Sequence, residues 1–356
     1  MKYKTYALGE LVQIKYGKNQ KKVLSEEGTI PIYGTGGLMG YATEALYDKP
    51  SVLIGRKGTI GKVRYVDHPF WTVDTLFYTI VNTELVLPKY LFYLMSQMDL
   101  NAYNEGTTIP SLRTETLNRL EFDIPSIEEQ KEVLSYLEPI DDKIQLNTEI
   151  NKNLEQQAQT IFQERFQHHD NLPERWKTMT LADVSFMSAG GDKPNTISSQ
   201  KTSECQYPIY SNGISNDGLY GYSSDYKFDT ESVTVSARGT IGFVCLRHIP
   251  YTPIVRLVTL IPHTNLVSAK YLYLWLKSIP IHGTGTTQQQ LTVPDFRKTE
   301  IIVPSESEMR SFTDTVTPFY QQIWANQDES TKLADIRDSL LPKLMSGEID
   351  VSDIDL

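Results

Sequence analysis

The chain of 356 residues contains the same stretch of sequence twice, and this internal duplication limits the folds that it can adopt. Pro31-Ile32-Tyr33 recurs 177 positions later as Pro208-Ile209-Tyr210. Lys57-Gly58-Thr59-Ile60-Gly61 recurs 181 positions later as Arg238-Gly239-Thr240-Ile241-Gly242. A separation of about 180 residues far exceeds the ~20–50 residues of a solenoid repeat, so the sequence indicates duplication of a whole domain.

The separation between equivalent motifs drifts along the chain. Lys89-Tyr90-Leu91 matches Lys270-Tyr271-Leu272 at 181 positions, and Ile124-Pro125-Ser126 matches Val303-Pro304-Ser305 at 179. Insertions and deletions in surface loops produce such drift between homologous copies. The drift therefore indicates that some loops differ in length between the two copies.

Composition and length are typical of an ordinary globular protein of about two to three domains. Hydrophobic residues make up 40% of the chain and charged residues 22%. The two cysteines, Cys205 and Cys245, have no neighbours at metal-ligand spacing, so neither a disulfide framework nor a zinc site is predicted. The sequence shows no run of about 18 apolar residues and no apolar signal-peptide core, and we expect a cytoplasmic location.

The acidic charge is unevenly distributed along the chain, whose formal net charge is −10. Residues 126–166 carry nine acidic and four basic side chains, residues 305–346 carry seven and four, and residues 347–356 carry four acidic and no basic ones. The two repeated copies with the short joint between them therefore keep a net charge of +2. This balance permits DNA binding by the copies, while the acidic segments favour a partner with a positive surface.

A long helix with an apolar seam is predicted after each copy. From Val133 the apolar positions step by four and three residues, which is the pattern of a helix that pairs with another helix. Asn147 and Asn326 stand at one equivalent seam position, where a polar residue fixes the register. We predict that the helices pair along Leu137, Ile140, Ile144, Asn147, Leu154, Ile161, Val316, Phe319, Ile323, Asn326, Leu333 and Leu340. The alternative is that each helix packs only on its own copy.

Two features disturb this helical pattern. Pro139 and Pro318 stand at equivalent positions, and each removes a backbone donor, so we expect each helix to bend or break there. Arg337 occupies a seam position at which the first helix has Ala158, and the pairing is expected to loosen at that point.

Short β-branched and aromatic runs predict strands in both copies. The predicted strands cover residues 51–54, 75–81, 232–235 and 254–261, and short helices are predicted over residues 89–98 and 270–278. Each copy is therefore predicted to be a mixed α+β domain with exposed loops.

The loops of the two copies carry the residues that suit DNA contact. Small residues let the backbone approach a ligand closely, basic residues beside a Gly turn suit phosphate or guanine, and amide or hydroxyl side chains suit base edges. The candidates in the first copy are Tyr33, Gly34, Thr35, Gly36, Arg56, Lys57, Gly58, Thr59, Lys62, Asn104, Thr107, Thr108 and Arg113. Those in the second copy are Tyr210, Ser211, Asn212, Arg238, Gly239, Thr240, Thr286, Thr287, Gln288, Gln289 and Gln290. A single Gly-Thr turn is usually only a hairpin, so the prediction depends on the recurrence in both copies.

Motifs of enzymes are missing from the sequence. It contains no phosphate-binding loop that ends in Gly-Lys-Ser/Thr and no Asn/Asp-Pro-Pro-aromatic tetrapeptide of an amino-methyltransferase. His168 and His169 are adjacent, and adjacent residues do not share a helix face, so a joint metal site is not predicted there. The sequence predicts a non-catalytic binder with no metal and no cofactor of its own.

The order of these motifs resembles the specificity subunits of Type I restriction-modification systems over essentially the whole chain. The resemblance rests on the two Gly-Thr-Ile-Gly turns, on residues 124–130 at the first helix, on residues 172–176 at the start of the second copy and on residues 340–348. It implies two target-recognition domains, at residues 1–125 and 173–304, separated by helical spacers at residues 126–172 and 305–346 that form an antiparallel coiled coil. An acidic tail follows at residues 347–356.

The resemblance also implies partners and an activity for the assembly. Two modification subunits would bind S-adenosylmethionine and methylate adenine, and motor-nuclease subunits would join for restriction. About 35 helical residues span roughly 50 Å, which is more than one DNA turn of ~34 Å. Because the loops of the copies differ in sequence, we expect a bipartite and asymmetric target.

Two other functions are compatible with the sequence. One is a solitary sequence-specific DNA-binding regulator or decoy that acts without modification subunits, and strong DNA binding by the chain alone would identify it. The other is a protein scaffold whose copies bind no nucleic acid, for which Arg56→Ala, Lys57→Ala and Arg238→Ala would leave function intact.

Overall fold

A computed structural model describes residues 2–167, 173–283 and 290–349. The chain divides into two compact units, of which the first contains residues 1–147 and 328–356 and the second contains residues 148–327. Each unit thus combines one of the repeated copies with segments from two long helices, Ile127–Phe166 and Glu306–Ser346. The described part of the chain contains no helix long and apolar enough to cross a membrane.

The first unit contains three small sheets and several helices. Its strands are β1 (Lys4–Ala7), β2 (Val12–Tyr16), β3 (Ile30–Gly34), β4 (Gly37–Ala42), β5 (Ser51–Gly55), β6 (Val63–Val66), β7 (Trp71–Thr72), β8 (Leu76–Val81) and β9 (Glu121–Ile124). Its helices are α1 (Leu8–Leu11), α2 (Pro88–Ser96), the 3₁₀ helix Leu100–Tyr103, α3 (Thr114–Asn118) and the beginning of α4 (Ile127–Phe166). The sheets have the strand orders β2-β8-β5-β6, β4-β3-β7 and β1-β9.

The second unit repeats this arrangement. Its strands are β10 (Lys177–Thr180), β11 (Ser185–Ala189), β12 (Ile197–Ser198), β13 (Tyr207–Tyr210), β14 (Leu219–Ser223), β15 (Ser232–Val235), β16 (Val244–Arg247), β17 (Thr252–Pro253), β18 (Val258–Pro262) and β19 (Glu300–Val303). Its helices are α5 (Leu181–Val184), the 3₁₀ helix Ser215–Gly218, α6 (Ala269–Ser278), α7 (Val293–Phe296) and the beginning of α8 (Glu306–Ser346). The sheets have the orders β11-β18-β15-β16, β12-β14-β13-β17 and β10-β19, which repeat those of the first unit with β12 added.

The predicted mixed α+β class is confirmed, but one predicted strand is too long. Of residues 254–261, those at 254–257 precede strand β18 and do not belong to it. Val255 and Arg256 have φ angles of 52° and 61°, in the left-handed region that strands do not use. Their N–H groups donate to the carbonyls of Gly191 and Gly190, so this apolar run forms a turn against the end of β11. Apolar content alone could not distinguish the turn from a strand.

Both long helices begin with the same reciprocal hydrogen bonds. Ser126 accepts from the N–H of Glu129 through Oγ (3.3 Å), while the Glu129 carboxylate accepts from the N–H of Ser126 (2.9 Å). Ser305 and Glu308 repeat both contacts, at 3.4 and 3.2 Å. This capping box satisfies backbone donors that have no partner at a helix start, and it fixes where α4 and α8 begin.

Within the first unit, α4 and α8 pair in antiparallel orientation. Asp141 accepts from Nη1 of Arg337 at 2.8 Å, and six residues further along α4 the Nδ2 of Asn147 donates to Oγ of Ser330 at 3.2 Å. Residue numbers rise along α4 from Asp141 to Asn147 while they fall along α8 from Arg337 to Ser330, which confirms the predicted antiparallel coiled coil here. Lys143 adds an ion pair with Glu329 at 3.2 Å.

The second unit contains the equivalent contact. Asn326 donates through Nδ2 to Oδ1 of Asn151 at 2.8 Å, and these positions correspond to Asn147 and Ser330 in the other unit. Both Asn147 and Asn326 are buried. Each asparagine thus forms the register-fixing hydrogen bond for its own part of the coiled coil.

The remaining predicted seam positions are at least half-buried. Leu137, Val316 and Ile323 are buried, and Ile140, Ile144, Leu154, Ile161, Phe319, Leu333 and Leu340 are half-buried. The helices also pack on the globular copies, because Phe162 and Phe166 of α4 contact Tyr271 of α6 at ring distances of 5.4 and 5.1 Å. The sequence left two alternatives for the apolar seam of each helix, which were pairing with the other helix and packing on its own copy. The structure contains both.

Neither long helix is interrupted at its proline. Each helix was expected to bend or break there, and α4 and α8 are continuous through Pro139 and Pro318, which excludes a break. The prolines are exposed, and buried residues such as Leu137 and Val316 hold the neighbouring turns in place. Arg337 does not loosen the pairing as expected, because its guanidinium pairs with Asp141 across the seam.

Replacing Phe162 with alanine tests how far the second unit depends on its aromatic core. Phe162 is fully buried against Phe166, Tyr271 and Phe312. We expect Phe162→Ala to lower the free energy of unfolding by about 3–5 kcal/mol, since a buried aromatic ring is replaced by a cavity. Chemical denaturation measures the loss, and Gln156→Ala, at an exposed position on the same helix, is the control expected to stay within about 0.5 kcal/mol.

Candidate nucleic-acid interface

In the first unit, three predicted loops meet at one end of the β2-β8-β5-β6 sheet. The loop that follows β5 pairs with residues 104–113, because Gly58 donates its N–H to Pro110 O (2.9 Å) and Leu112 donates to Arg56 O (3.0 Å). The turn between β3 and β4 faces the same loop across a cleft of about 260 Å³. Its lining includes Gly34, Thr35, Gly36, Thr59 and Lys62. The structure thus brings together candidates that lie far apart in sequence.

The basic residues of this surface differ in their freedom. Arg56 donates through Nη1 to the carbonyl of Asp74 (2.8 Å), and its guanidinium lies 5.0 Å from the ring centre of Tyr16. Lys57 and Lys62 are exposed, as are Gly58 and Thr59. Arg56 therefore has a fixed position, whereas the two lysines project into solvent where a phosphate could bind.

The remaining candidates of the first unit divide into loop-forming and exposed residues. Asn104 accepts through Oδ1 from the N–H groups of Gly106 and Ser111 (both 2.9 Å), which shapes the loop from within. Arg113 is paired with Glu105 at 3.1 Å. Thr107 and Thr108 are exposed. Asn104 is therefore a residue that positions the loop, and the two threonines are the side chains of this loop that are open to a ligand.

In the second unit, Asn212 joins the equivalent loops. Its Oδ1 accepts from the N–H of Ala237 and its Nδ2 donates to the carbonyl of Val255, both at 2.7 Å. Leu291 donates its N–H to Ala237 O (3.0 Å), which attaches the third segment. Arg238 is exposed and donates to Oε1 of Gln290 (3.0 Å). Ser211 is half-buried, while Gly239 and Thr240 are exposed, and Thr286, Thr287, Gln288 and Gln289 lie outside the described residues.

Tyr33 on β3 and Tyr210 on β13 each lie beside an arginine that was not predicted from the sequence. Tyr33 donates to or accepts from Nε2 of His68 (3.1 Å), and the Arg64 guanidinium lies 5.3 Å from its ring centre. Tyr210 has the buried Arg247 at 3.6 Å from its ring centre. Burial raises the pKa of both phenols while the arginines oppose the shift, so both hydroxyls stay protonated at neutral pH. The sequence does place an arginine on the strand that follows each Gly-Thr-Ile-Gly turn, and this pattern could have identified Arg64 and Arg247.

Neither metal binding nor a reactive thiol is apparent in the described ranges. They contain no cluster of three or more His, Cys, Asp or Glu side chains that could hold a metal ion. His168 and His169 lie outside the described residues. Cys205 and Cys245 are both buried and form no disulfide, and burial raises the pKa of the Cys245 thiol to about 11.

Comparison with known proteins identifies the family. A family model described as "Type I restriction modification DNA specificity domain" matches residues 1–156 and again residues 173–334. The chain belongs to this family. The two matched ranges correspond to the two copies of the duplication, so the chain contains two specificity domains of this family.

Individual relatives agree over nearly the full length. The chain is 26% identical over 338 residues to a putative type I specificity subunit of Mycoplasma pneumoniae, covering 92% of either chain. It is 25% identical over 347 residues to the Type I restriction enzyme MjaIX specificity subunit of Methanocaldococcus jannaschii, covering 87% of this chain and 80% of the relative. The crystal structure of a Type I restriction-modification S subunit from M. genitalium has the same fold, with a TM-score of 0.60 at 19% identity over 97% of this chain and 96% of that one. The chain is accordingly a DNA-recognition subunit of a Type I restriction-modification system.

Replacing Asn212 should loosen the recognition loops of the second unit. Asn212→Ala leaves the N–H of Ala237 and the carbonyl of Val255 without their partner, and we expect a loss of about 1–3 kcal/mol in unfolding free energy. Hydrogen exchange at Ala237 should accelerate correspondingly. Asn265→Ala, at an exposed position of the same unit, is the control and should change neither quantity.

The thiols should be inert in the folded protein. With a pKa of about 11, roughly 0.1% of Cys245 is thiolate at pH 8, and both sulfurs are shielded from solvent. We expect no reaction with a thiol-specific chromogenic disulfide in native buffer and two equivalents of reaction in 8 M urea. Rapid labelling of the native protein would contradict this placement of the cysteines.

Proposed function

We propose that the loops of the two units read the two halves of a bipartite, asymmetric DNA target, and that this chain performs no catalysis itself. The observation that carries the proposal is that the same three segments converge in each unit, beside exposed cations such as Lys57 and Arg238. Phosphate contacts by such cations fix the position of a protein on DNA, and base-edge contacts then select the sequence. Two unlike sets of loops predict two unlike half-targets.

The reaction is assigned to partner subunits. Two modification subunits would bind S-adenosylmethionine and methylate adenine, and motor-nuclease subunits would join for restriction, in the cytoplasm. In this assignment the chain needs no cofactor. The acidic character of residues 126–166 and 305–346 supports docking of partners with basic surfaces on the helices, because complementary charge favours association.

Methylation mapping of the source cells tests the target. The DNA of cells with the intact gene is compared with DNA from cells in which the gene is deleted. We expect one bipartite adenine-methylation motif with two different halves to disappear on deletion. Unchanged motifs would contradict the assignment, and a symmetric motif would contradict the reading of two unlike half-targets.

Replacing Lys57 and Lys62 tests the proposed face of the first unit. If both contact phosphates, the Lys57→Ala/Lys62→Ala double variant should reduce the slope of log affinity against log salt by about 1.8, at ~0.9 for each contact. Fluorescence anisotropy with the complex of this chain and its modification subunits measures the slope. Lys49→Ala is the matched control, because Lys49 is exposed but precedes β5, whereas Lys57 follows it. Equal slopes for all variants would exclude this face.

A further inference from the structure

The hairpin formed by β3 and β4 contains a β-bulge at an informative position. Ile32 pairs with Gly40 and the next residue, Tyr33, pairs with Leu38, so Met39 has no residue opposite it. A bulge of this kind bends the strand and redirects a side chain, and bulges are frequent beside functional sites. The unpaired residue of the first unit is therefore Met39.

The equivalent hairpin of the second unit, formed by β13 and β14, has its bulge at the equivalent position. Ile209 pairs with Gly221 and Tyr210 pairs with Leu219, so Tyr220 has no residue opposite it on β13. Met39 and Tyr220 are 181 positions apart, the separation that holds between the Gly-Thr-Ile-Gly turns. The bulge is thus part of the repeated architecture, while the residue that it projects differs between the copies.

Both bulge residues are large and exposed. Met39 is 56% exposed and its neighbour Leu38 is 53% exposed, while Tyr220 is 43% exposed. In the first hairpin the Met39 sulfur lies directly over Gly34. A Cβ atom on residue 34 would be only 2.3 Å from this sulfur, so the position of Met39 requires a glycine there. A large exposed side chain at a β-bulge that both copies share suggests a contact with a binding partner, because bulges are over-represented beside functional sites.

Basic residues lie beside both hairpins. Arg64 lies over Tyr33, the strand partner of Leu38, and Lys62 lines the adjoining cleft. In the second unit the Lys193 ammonium lies 4.3 Å from the ring centre of Tyr220 and donates a hydrogen bond to its hydroxyl. An exposed apolar or aromatic side chain on a hairpin with cations beside it fits nucleic acid, in which phosphates flank the base edges.

The connection before the bulge residue differs in length between the two units. The separation between equivalent residues is 177 before the turn, at Pro31 and Pro208, and 181 after it, at Leu38 and Leu219. Four residues, at 34–37, separate Tyr33 from Leu38 in the first unit, whereas eight residues, at 211–218, separate Tyr210 from Leu219 in the second. The length difference seen in the sequence therefore lies shortly before the bulge residue.

We propose that Met39 and Tyr220 are the side chains that select a base in the two half-targets, a step that rests on the proposed function. Met39 offers only apolar contact, which suits the methyl group of thymine in the major groove. Tyr220 offers a hydroxyl supported by the Lys193 ammonium, which suits acceptors on a base edge such as those of guanine. The same β-bulge thus presents a different side chain in each unit, and each side chain selects a different base.

The test uses the complex of this chain with its modification subunits and a randomised DNA library, from which bound sequences are selected and read. We expect Met39→Gln to change the preferred base at one position of one half-target, with a loss of about 5- to 100-fold in affinity for the wild-type target. Tyr220→Met should change one position of the other half-target only. Met39→Leu, which keeps an apolar tip, should retain the wild-type preference.

A control variant tests whether the loss of any exposed apolar side chain would have the same effect. Phe186→Ala removes an equally exposed apolar side chain, 55% exposed on β11, and should alter neither half-target. Because both bulge residues are exposed, the variants should keep the wild-type unfolding temperature, which calorimetry verifies. Wild-type preference in both Met39→Gln and Tyr220→Met would overturn the inference, whereas a wild-type complex that selects no sequence would contradict the proposed function itself.

Discussion

The antiparallel contact between α4 and α8 is the interaction on which the rest of the molecule depends. Within each unit this contact has an apolar part and a polar part. In the second unit Phe162, Phe166 and Phe312 join the helices to the globular core, and the buried Asn326 fixes which turns of the helices face each other. The apolar contacts supply most of the stabilisation, while the asparagine specifies the register at a cost in stability. The recognition loops are carried by domains whose cores are completed by these helices.

The loops owe their shape to a few polar side chains that form hydrogen bonds with backbone groups. Asn104 and Asn212 bind backbone groups inside the loops, and Arg56 is held by the carbonyl of Asp74. This leaves Lys57, Lys62 and Thr59 exposed on a fixed framework. A rigid loop orders fewer groups when DNA binds, which favours both affinity and selectivity.

The sequence predicted the duplication, the mixed class, the long helices and their pairing, because a repeat and a 3.5-residue seam are regular signals along the chain. It could not predict that Pro139 leaves α4 continuous or that Arg337 pairs with Asp141 across the seam, since both outcomes depend on residues brought close only by folding. For the same reason the loop residues were identified by type, but their roles were not. Asn212 was predicted as a DNA-contact residue, and the structure adds that its side chain holds the loops together through hydrogen bonds to Ala237 and Val255. The β-bulge left no signal, because a register shift is a property of two paired strands.

The division of the chain into its two units has a consequence for biosynthesis. The second unit consists of one continuous stretch, residues 148–327, whereas the first combines residues 1–147 with residues 328–356. Leu341, Leu344 and Met345 belong to the core of the first unit, together with residues such as Leu8 and Leu134. Domains usually fold in the order in which they leave the ribosome. In this chain the first unit lacks part of its core until the end of α8 has been synthesised, whereas all of the second unit is present once residue 327 has been added.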